Sequence, residues 1–157
     1  MLYKIKFDIV ELEQEDYHLL AKGKIVGQSV RIVLDTGASR SCLDINFIQN
    51  ILPELTMENN EGISAGIGGD NFVTKVADIP DFKVGRFHLD IFPEVALIDL
   101  NVINMAYRKL KMKPVQMILG SDFFVKYQAV LDYSTKILTI QQRKITGNHA
   151  RPYVATK

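Results

Sequence analysis

The sequence predicts a mainly β domain with two or three short helices. Short apolar or alternating runs, bounded by turn residues, recur through most of the 157 residues, as is typical of strands. Two stretches carry apolar residues at helical spacing, and a third allows a short helix. The length fits a single domain with a substantial core, and a composition of 47% apolar and 24% charged residues is ordinary for a globular protein.

Three strands are predicted in the first quarter of the chain. Residues 3–9 alternate apolar and polar side chains, and the polar segment "EQED" after them suits a turn. Residues 18–26 and 29–34 form the next two predicted strands. We expect a hairpin to join them at Gly27–Gln28.

A short helix is predicted after these strands. Ile45, Ile48 and Ile51 fall at helical spacing, Asp44 suits the N-cap, and Pro53 ends the pattern. The following segment is different in character. Its residues 58–71 include four glycines, which predicts a loop or a hairpin tip.

The second half begins with short β-rich runs, which alternate with turn residues over 72–98. Residues 99–112 then have one apolar helical face, with Asp99 as a cap and basic residues at the C-terminal end. An apolar strand follows and runs into Gly120 and a short helix. A final hairpin is predicted around residues 132–135.

Charge and composition argue against several classes of function. A net charge of +1 gives no overall field for nucleic acid or an anionic membrane. The single cysteine, Cys42, excludes an internal disulfide and a cysteine-rich metal site. His18, His88 and His149 lack the spacing of metal ligands, so we expect no metal and no cofactor.

Both ends of the chain are polar. The N-terminus carries charges throughout, unlike a signal peptide, and no apolar run reaches the roughly 18 residues that a membrane span needs. The expected location is therefore cytoplasmic. Residues 141–157 are basic and lack the aromatic interleaving of a nucleic-acid arm, so we expect a flexible tail.

Three motifs carry chemical information, although each is weak alone. "VLDTGAS" (33–39) puts the Asp35 carboxylate on a sharp turn, where Gly37 permits close approach of another chain. "GIGG" (66–69) suits a mobile loop. "ILG" (118–120) suits a buried strand that ends in a bend.

Together, in this order and within about 90 residues, the motifs resemble those of the retropepsin-like aspartic proteases, the family of the retroviral proteases. The first is similar to the active-site loop, the second to the flap tip, and the third to the strand and glycine that support the loop. The resemblance spans 23–140 within a domain of residues 1–140. It is closer to the cellular and bacterial single-domain members, and it implies an acid-protease barrel with a homodimeric active site.

The resemblance implies an aspartic endopeptidase. Pepsin-like enzymes carry two Asp-Thr-Gly motifs in one chain, whereas this sequence has one, so the second aspartate would be Asp35 of an identical subunit. Asp122 and Asp132 are expected to serve as a helix-end residue and a turn residue instead. Two carboxylates about 3 Å apart share one proton, for which aspartic proteases are the standard example, and the pair activates a water.

Further roles are implied residue by residue. The Thr36 hydroxyl would reach across the dimer axis, and the Gly37 N–H would face the inner carboxylate oxygens. Ala38 and Ser39 would border the substrate. Ala38 also lacks the hydroxyl that pepsins have at this position, so a less acidic pH optimum than that of pepsin is expected. Ile118, Leu119 and Gly120 would support the loop.

The flap would hold an extended peptide or protein substrate. Gly66, Ile67, Gly68 and Gly69 would form its tip, with the Ile67 N–H directed at the substrate and the glycines as hinges. Such a peptide binds by adding a strand. Retroviral enzymes have an Asp–Arg ion pair where this chain has Ser39 and Ser121, and here both partners are absent.

Two alternatives remain at this stage. One is a catalytically inactive retropepsin fold that serves as a peptide-binding or dimerisation module. The other is a monomeric β-barrel without an active pair of aspartates.

Overall fold

The computed structural model of the protein describes residues 1–60 and 74–142. Within these ranges it contains ten strands and three short helices, which confirms the predicted mainly β class. In chain order the elements are β1 (Leu2–Glu13), β2 (Asp16–Ile25), β3 (Gln28–Leu34), β4 (Cys42–Asp44), α1 (Ile45–Ile51), β5 (Glu58–Asn60), β6 (Thr74–Val84), β7 (Phe87–Ile98), α2 (Asn101–Lys109), β8 (Met117–Leu119), α3 (Ser121–Lys126), β9 (Val130–Asp132) and β10 (Ile137–Gln141).

The described strands form one mixed sheet in the order β5-β6-β7-β4-β8-β3-β2-β1-β10-β9. Because β6 also pairs with β2, the sheet closes on itself between these two strands. β8 lies between β3 and β4, parallel to β3 and antiparallel to β4. The connection from β3 to β4 must therefore pass over the end of β8, and this crossing point holds the Asp-Thr-Gly motif.

The hairpin between β2 and β3 turns one residue earlier than predicted. Ile25 pairs with Gln28, so Val26 and Gly27 form the two-residue turn and Gln28 already belongs to the strand. Both turn residues have positive φ, 48° and 76°, as a type I′ hairpin requires. The sequence favoured Gly27 as the first residue of the turn, because a β-branched residue such as Val26 rarely adopts a positive φ.

The segment expected to contain several short strands forms two long ones, β6 and β7. Proline and aspartate suggested breaks here, but the two strands stay paired and absorb the irregularity as a register shift between Ala77 and Ile79. Asp81 and Glu94 take up positive φ. A bulge of this kind bends a strand without ending it.

The first helix has the predicted limits but a different cap. Asp44 holds the N-cap position of α1, yet its side chain makes no capping bond there. Its Oδ1 instead accepts the N–H of Leu100 at 3.3 Å. Asp99 lies beside it and accepts the N–H of Asn101 at 2.8 Å. Both carboxylates thus hold the beginning of α2 against the end of β4.

The helix predicted over 99–112 is shorter, because the backbone leaves the helical path at Leu110 and Lys111 has a φ of 56°. Its inner face fills a small second core. Leu100, Tyr107 and Val115 are fully buried there, against side chains of β3 and β8. α2 therefore lies close to the β3–β4 connection. No described helix is long and apolar enough to span a bilayer.

The main core lies inside the closed sheet and is rich in aromatic side chains. Phe123 of α3 has neighbouring ring centroids at 4.8–6.4 Å. Each such ring stabilises the fold by about 1.5–3 kcal/mol through burial. α3 is thus fixed by its apolar face, and with it the segment that supports the active-site loop. The rings around Phe123 are Phe82, Phe87, Phe92, Phe124 and Tyr127.

Candidate active site

The Asp-Thr-Gly motif begins where β3 ends. Leu34 pairs with Leu119 of β8, and one residue later the Asp35 N–H donates to the Leu119 carbonyl at 3.0 Å. The parallel pairing thus continues up to the aspartate. Since both partners are buried strand residues, the backbone of Asp35 is held by the sheet although its side chain is exposed.

The loop folds back on the carboxylate. The Gly37 N–H donates to Asp35 Oδ1 at 2.8 Å, and the Ala38 N–H donates to the Asp35 carbonyl at 3.3 Å. Asp35, Thr36 and Gly37 are exposed, while Ala38 is half-buried. The carboxylate therefore has a fixed orientation and an open face toward solvent. Ala38 offers no hydroxyl to it.

The segment after β8 supports the loop from below. The Ser121 N–H donates to the Ala38 carbonyl at 2.8 Å, and the Ser121 hydroxyl donates to the Thr36 carbonyl at 2.8 Å. The Asp122 N–H donates to the Ser39 carbonyl at 3.3 Å. The loop therefore lies against Ser121 and Asp122, and its Asp35 against the predicted support residue Leu119. The predicted support residue Ile118 pairs instead with Val33, before the loop begins.

Gly120 is required by a close approach between these two segments. A Cβ added at this residue would lie 2.6 Å from the Arg40 carbonyl carbon, 2.7 Å from the Arg40 oxygen and 2.8 Å from the Ala38 oxygen. All three atoms belong to the backbone, so no side chain could move aside. Only glycine lets α3 start this close to the loop.

Ser41 and Asp122, which no sequence pattern pairs, hold the other side of the loop. The N–H and the hydroxyl of Ser41, which is 1% exposed, donate to Asp122 Oδ1 at 2.8 and 2.7 Å. The Gly120 N–H donates to Ser41 Oγ at 3.0 Å. Asp122 does lie in the first turn of α3, as expected, but its main partner is Ser41. Because the two residues are 81 positions apart in the chain, no local sequence pattern could indicate that they pair.

A groove of about 370 Å³ lies beside the aspartate. His18 lines it, and its Nδ1 is 2.6 Å from the hydroxyl of the buried Tyr107. This link was not foreseen, because His18 alternates in a strand like many surface residues. The lining residues are Asp16, Tyr17, His18, Leu19, Val33, Leu34, Asp35, Thr36, Ile103, Ile118 and Tyr133.

The only cysteine is close to the loop but chemically quiet. Burial raises the pKa of the Cys42 thiol to about 12, and the negative charges of Asp122 and Asp35 act in the same direction. A neutral thiol is a poor nucleophile at physiological pH, so Cys42 is not a candidate nucleophile of this site. Within residues 1–60 and 74–142, no three His, Cys, Asp or Glu side chains are arranged to hold a metal ion.

Some predictions concern other parts of the chain. The expected flap-tip residues Gly66, Ile67, Gly68 and Gly69 lie outside the described residues, and so does most of the expected tail at 143–157. The last described residue, Gln142, bonds to the first residue of the chain, because its N–H donates to the Met1 carbonyl at 2.9 Å.

Comparisons with known proteins agree with this geometry. The chain is similar to a retropepsin-like aspartic protease from Rickettsia conorii, with a TM-score of 0.52 and 13% identity over 89% of this chain and 90% of that one. It is also similar to the retroviral protease-like domain of Ddi1 from Leishmania major, with a TM-score of 0.50 and 17% identity over 78% and 87%. At such identities the likeness confirms the retropepsin-like fold alone.

Sequence comparison is more decisive for the family. No curated protein sequence matches the chain. However, the sequence model of the family described as "Aspartyl protease" matches residues 21–123, which run from β2 through the Asp-Thr-Gly loop to the start of α3. This match covers more than half of the sequence and contains both segments of the site. The chain therefore belongs to the aspartyl protease family.

Proposed function

We propose that the protein is an aspartic endopeptidase whose active site forms between two copies of the chain. Asp35 of each copy contributes one carboxylate. The observation that carries this proposal is the geometry of the Asp35–Gly37 loop. The backbone of two strands and a helix holds the loop, and the Asp35 carboxylate is exposed at the surface of the protein. A second identical loop can approach such a face across a two-fold axis.

Two other aspartates near this surface, Asp122 and Asp132, have their carboxylates engaged within the chain. Asp122 accepts two bonds from Ser41, and Asp132 accepts bonds from Ser134 and Thr135 within its own turn. A partner for Asp35 has to be a carboxylate that is not already hydrogen-bonded to other side chains and that can share a proton. A second copy of Asp35 meets both conditions.

The proposed mechanism uses one proton shared between the two carboxylates. The ionised carboxylate takes a proton from a water, and the oxygen of this water attacks the scissile carbonyl, which the neutral carboxyl polarises. Gly37 keeps each carboxylate oriented through its N–H, and Thr36 ties the two loops through its hydroxyl. Because Ala38 gives the ionised pair no hydroxyl donor, the reaction runs at a milder pH than in pepsin. No cofactor takes part.

The proposed substrate is an extended segment of a polypeptide. It lies in the groove beside Asp35, between the apolar side chains of Leu19 and Ile103, and adds a strand to the protein. Ala38 and Ser39 border it on the loop side. Gly66, Ile67, Gly68 and Gly69 cover it from the flap.

Asp35→Asn tests the proposal most directly. We expect a loss of peptidase activity of at least about a thousandfold, because the amide cannot accept the proton of the attacking water. Circular dichroism and sedimentation should be unchanged. The matched control is Asp16→Asn, which replaces another exposed carboxylate of the same groove and should keep its activity.

Mixed dimers test the sharing of the site. Co-expression of the parent chain with tagged Asp35→Asn, followed by purification of the mixed dimer, should give an inactive species. Full activity in Asp35→Asn would disprove the mechanism, and loss of activity in Asp16→Asn would favour a carboxylate pair within one chain. If a pepstatin-like inhibitor binds the parent but no peptide is cleaved, the fold serves as a peptide-binding module instead.

A further inference from the structure

A second and larger groove, of about 1050 Å³, lies at the other end of β3. Ser29 is six residues before Asp35, which corresponds to roughly 20 Å along a strand. We call this the basic groove. Its lining residues come from β2, β3, the β6–β7 hairpin and the connection before β8: Lys22, Gly23, Lys24, Ser29, Val30, Arg31, Lys83, Gly85, Met112, Lys113, Pro114 and Gln116.

Five of these residues are cationic and none is acidic. The strand register explains how they meet: Lys22 is directly opposite Arg31, and Lys24 is directly opposite Lys83. Residues two apart on a strand share a face, so these four cations lie on one side of the sheet. Lys113 joins them from the connection between α2 and β8.

Little in the described structure neutralises this charge. Asp81 makes an ion pair with Lys83 at 2.7 Å, and it is the one described carboxylate within 4 Å of any of the five cations. Like charges directly opposite each other on a sheet are destabilising. The protein thus maintains an unfavourable arrangement that a bound anion would relieve.

One of the cations is held in place in advance. The Arg31 guanidinium lies 5.8 Å from the centre of the buried Tyr107 ring, and it donates a hydrogen bond to the Lys113 carbonyl. A cation that is already ordered loses less entropy when an anion binds.

We propose that the basic groove binds an acidic segment of a polypeptide. The backbone of β3 supports an extended ligand. Arg31 directs its N–H and its carbonyl away from β2, toward Gln116, and the pleat directs those of Ser29 the same way. β8 pairs with β3 only from Ile32 onward, so no described strand covers this edge at Ser29. An acidic peptide can add a strand here while its carboxylates meet the lysines.

The lining favours a polypeptide over a nucleic acid. Single-stranded nucleic acids stack their bases on aromatic side chains, and none of the described aromatic residues lines the basic groove. Val30, Met112 and Pro114 offer apolar contacts between the cations instead. The net charge of +1 is also far from that of most nucleic-acid-binding domains.

Such a groove would tether protein substrates at a distance from the bond that is cut, and this part of the inference rests on the proposed peptidase activity. Binding itself does not. It can therefore be measured with the Asp35→Asn variant, in which the probe cannot be cleaved, so a failure of the peptidase proposal leaves the binding test intact.

The binding experiment uses a fluorescent oligoglutamate peptide and fluorescence anisotropy at low ionic strength. We expect Lys22→Glu/Lys24→Glu to weaken binding by on the order of tenfold or more. The matched control is Lys4→Glu/Lys6→Glu, which makes the same change in net charge on exposed lysines of β1 outside the groove. It should change the affinity less than about twofold, because distant exposed charges are screened.

Three outcomes would overturn the proposal. They are equal losses in the two double variants, equal binding of an uncharged Gly–Ser peptide, and tighter binding of an oligothymidylate than of oligoglutamate. For the substrate role, two otherwise identical substrates are compared, one with an acidic flank. The flank should lower KM in the parent protein, and Lys22→Glu/Lys24→Glu should abolish that advantage without changing kcat on the substrate that lacks it.

Discussion

The two ends of β3 carry opposite charge and are built in different ways. At its C-terminal end, Asp35 is one carboxylate in a loop whose backbone is held at nearly every residue by β8 and α3. Toward its N-terminal end, Arg31 belongs to a group of cations that lie opposite one another on paired strands. The proposed catalysis at one end depends on the position of a single carboxylate. The proposed binding at the other end depends on the sum of several positive charges.

This difference determines how each end responds to change. Proton transfer needs atoms within a few tenths of an ångström, so the loop at Asp35 is sensitive to any displacement of its supports. Attraction between exposed charges acts over roughly 10 Å and tolerates displacement, but salt weakens it. Substitutions far from the carboxylate can therefore abolish catalysis, while no single lysine is expected to abolish binding.

Among substitutions outside the carboxylate itself, the largest effect is expected for Gly120→Ala. The new methyl group would meet the backbone at Arg40 and Ala38, so α3 and the loop must move apart. We expect a loss of roughly 3 kcal/mol in the free energy of unfolding, and at least a hundredfold loss of activity in the molecules that remain folded. Urea denaturation and peptidase assays measure the two effects.

Gly27→Ala is the control for that change. Gly27 also needs its glycine, for a φ of 76°, but beyond its chain neighbours no atom of the described residues lies within 4 Å of an added Cβ. Gly27→Ala should lower the free energy of unfolding by only about 1 kcal/mol and leave activity intact. If Gly120→Ala behaved like Gly27→Ala, close contact at Gly120 would not be what positions the loop.

A smaller effect is expected for Ser41→Ala. The change removes a hydroxyl that donates to Asp122 and accepts from Gly120, and it leaves a buried N–H without a partner. We expect a loss of roughly 2 kcal/mol of stability. Because the loop is supported here, activity should fall as well, and Ser41→Thr should restore part of it if the buried site accommodates the methyl group.

Ser134 offers a matched comparison. It donates to Asp132 through its N–H at 2.9 Å and its hydroxyl at 2.6 Å, much as Ser41 does to Asp122, but on the surface. These bonds, with those from Thr135, lower the pKa of Asp132 to about 2. Ser134→Ala should leave activity nearly unchanged, and it should lower stability at neutral pH by less than Ser41→Ala does, because water can replace these exposed bonds. Equal losses in the two variants would show that burial of the Ser41 bonds adds nothing.

The sequence predicted those features that depend on local chemistry. The strands of the first hairpin, the limits of α1 and the turn at Asp132 follow from alternation, helical spacing and turn residues, and the structure agrees with them. The Asp35 loop and its support at Gly120 were predicted because "VLDTGAS" and "ILG", in this order, resemble motifs of the retropepsin-like proteases.

Features that depend on distant partners could not be predicted. Asp44 looked like a cap, yet it bonds to Leu100, because α2 comes close only in the folded chain. The basic groove is another case. Lys24 and Lys83 are far apart in sequence and meet only through the closure of β2 on β6. Alternation placed each lysine on a strand without indicating which neighbours it would face.

The smallest effect is expected at Tyr107, a buried residue that both ends of β3 share. Its ring lies against Arg31 of the basic groove, and its hydroxyl lies against His18 of the groove beside Asp35. At neutral pH Tyr107→Phe should cost about 1 kcal/mol, the net value of one hydrogen bond. A larger loss, or a loss of both binding and activity, would indicate that Tyr107 couples the two ends.

The same residue makes stability depend on alkaline pH. Burial raises the pKa of Tyr107 to about 12 from its ordinary value of 10, so above pH 10 the unfolded chain releases this proton before the folded one does. The stabilisation from the neutral phenol is fully present below pH 10 and is lost as the pH rises through 12. Urea denaturation at pH 9 and at pH 12 measures this loss. Between these two pH values, the free energy of unfolding of Tyr107→Phe should fall by roughly 2–3 kcal/mol less than that of the parent. Cys42 and Tyr127 titrate in both the parent and the variant, so the difference between the two proteins isolates Tyr107. Equal losses in the two proteins would mean that the Tyr107 phenol ionises as freely in the folded chain as in the unfolded one.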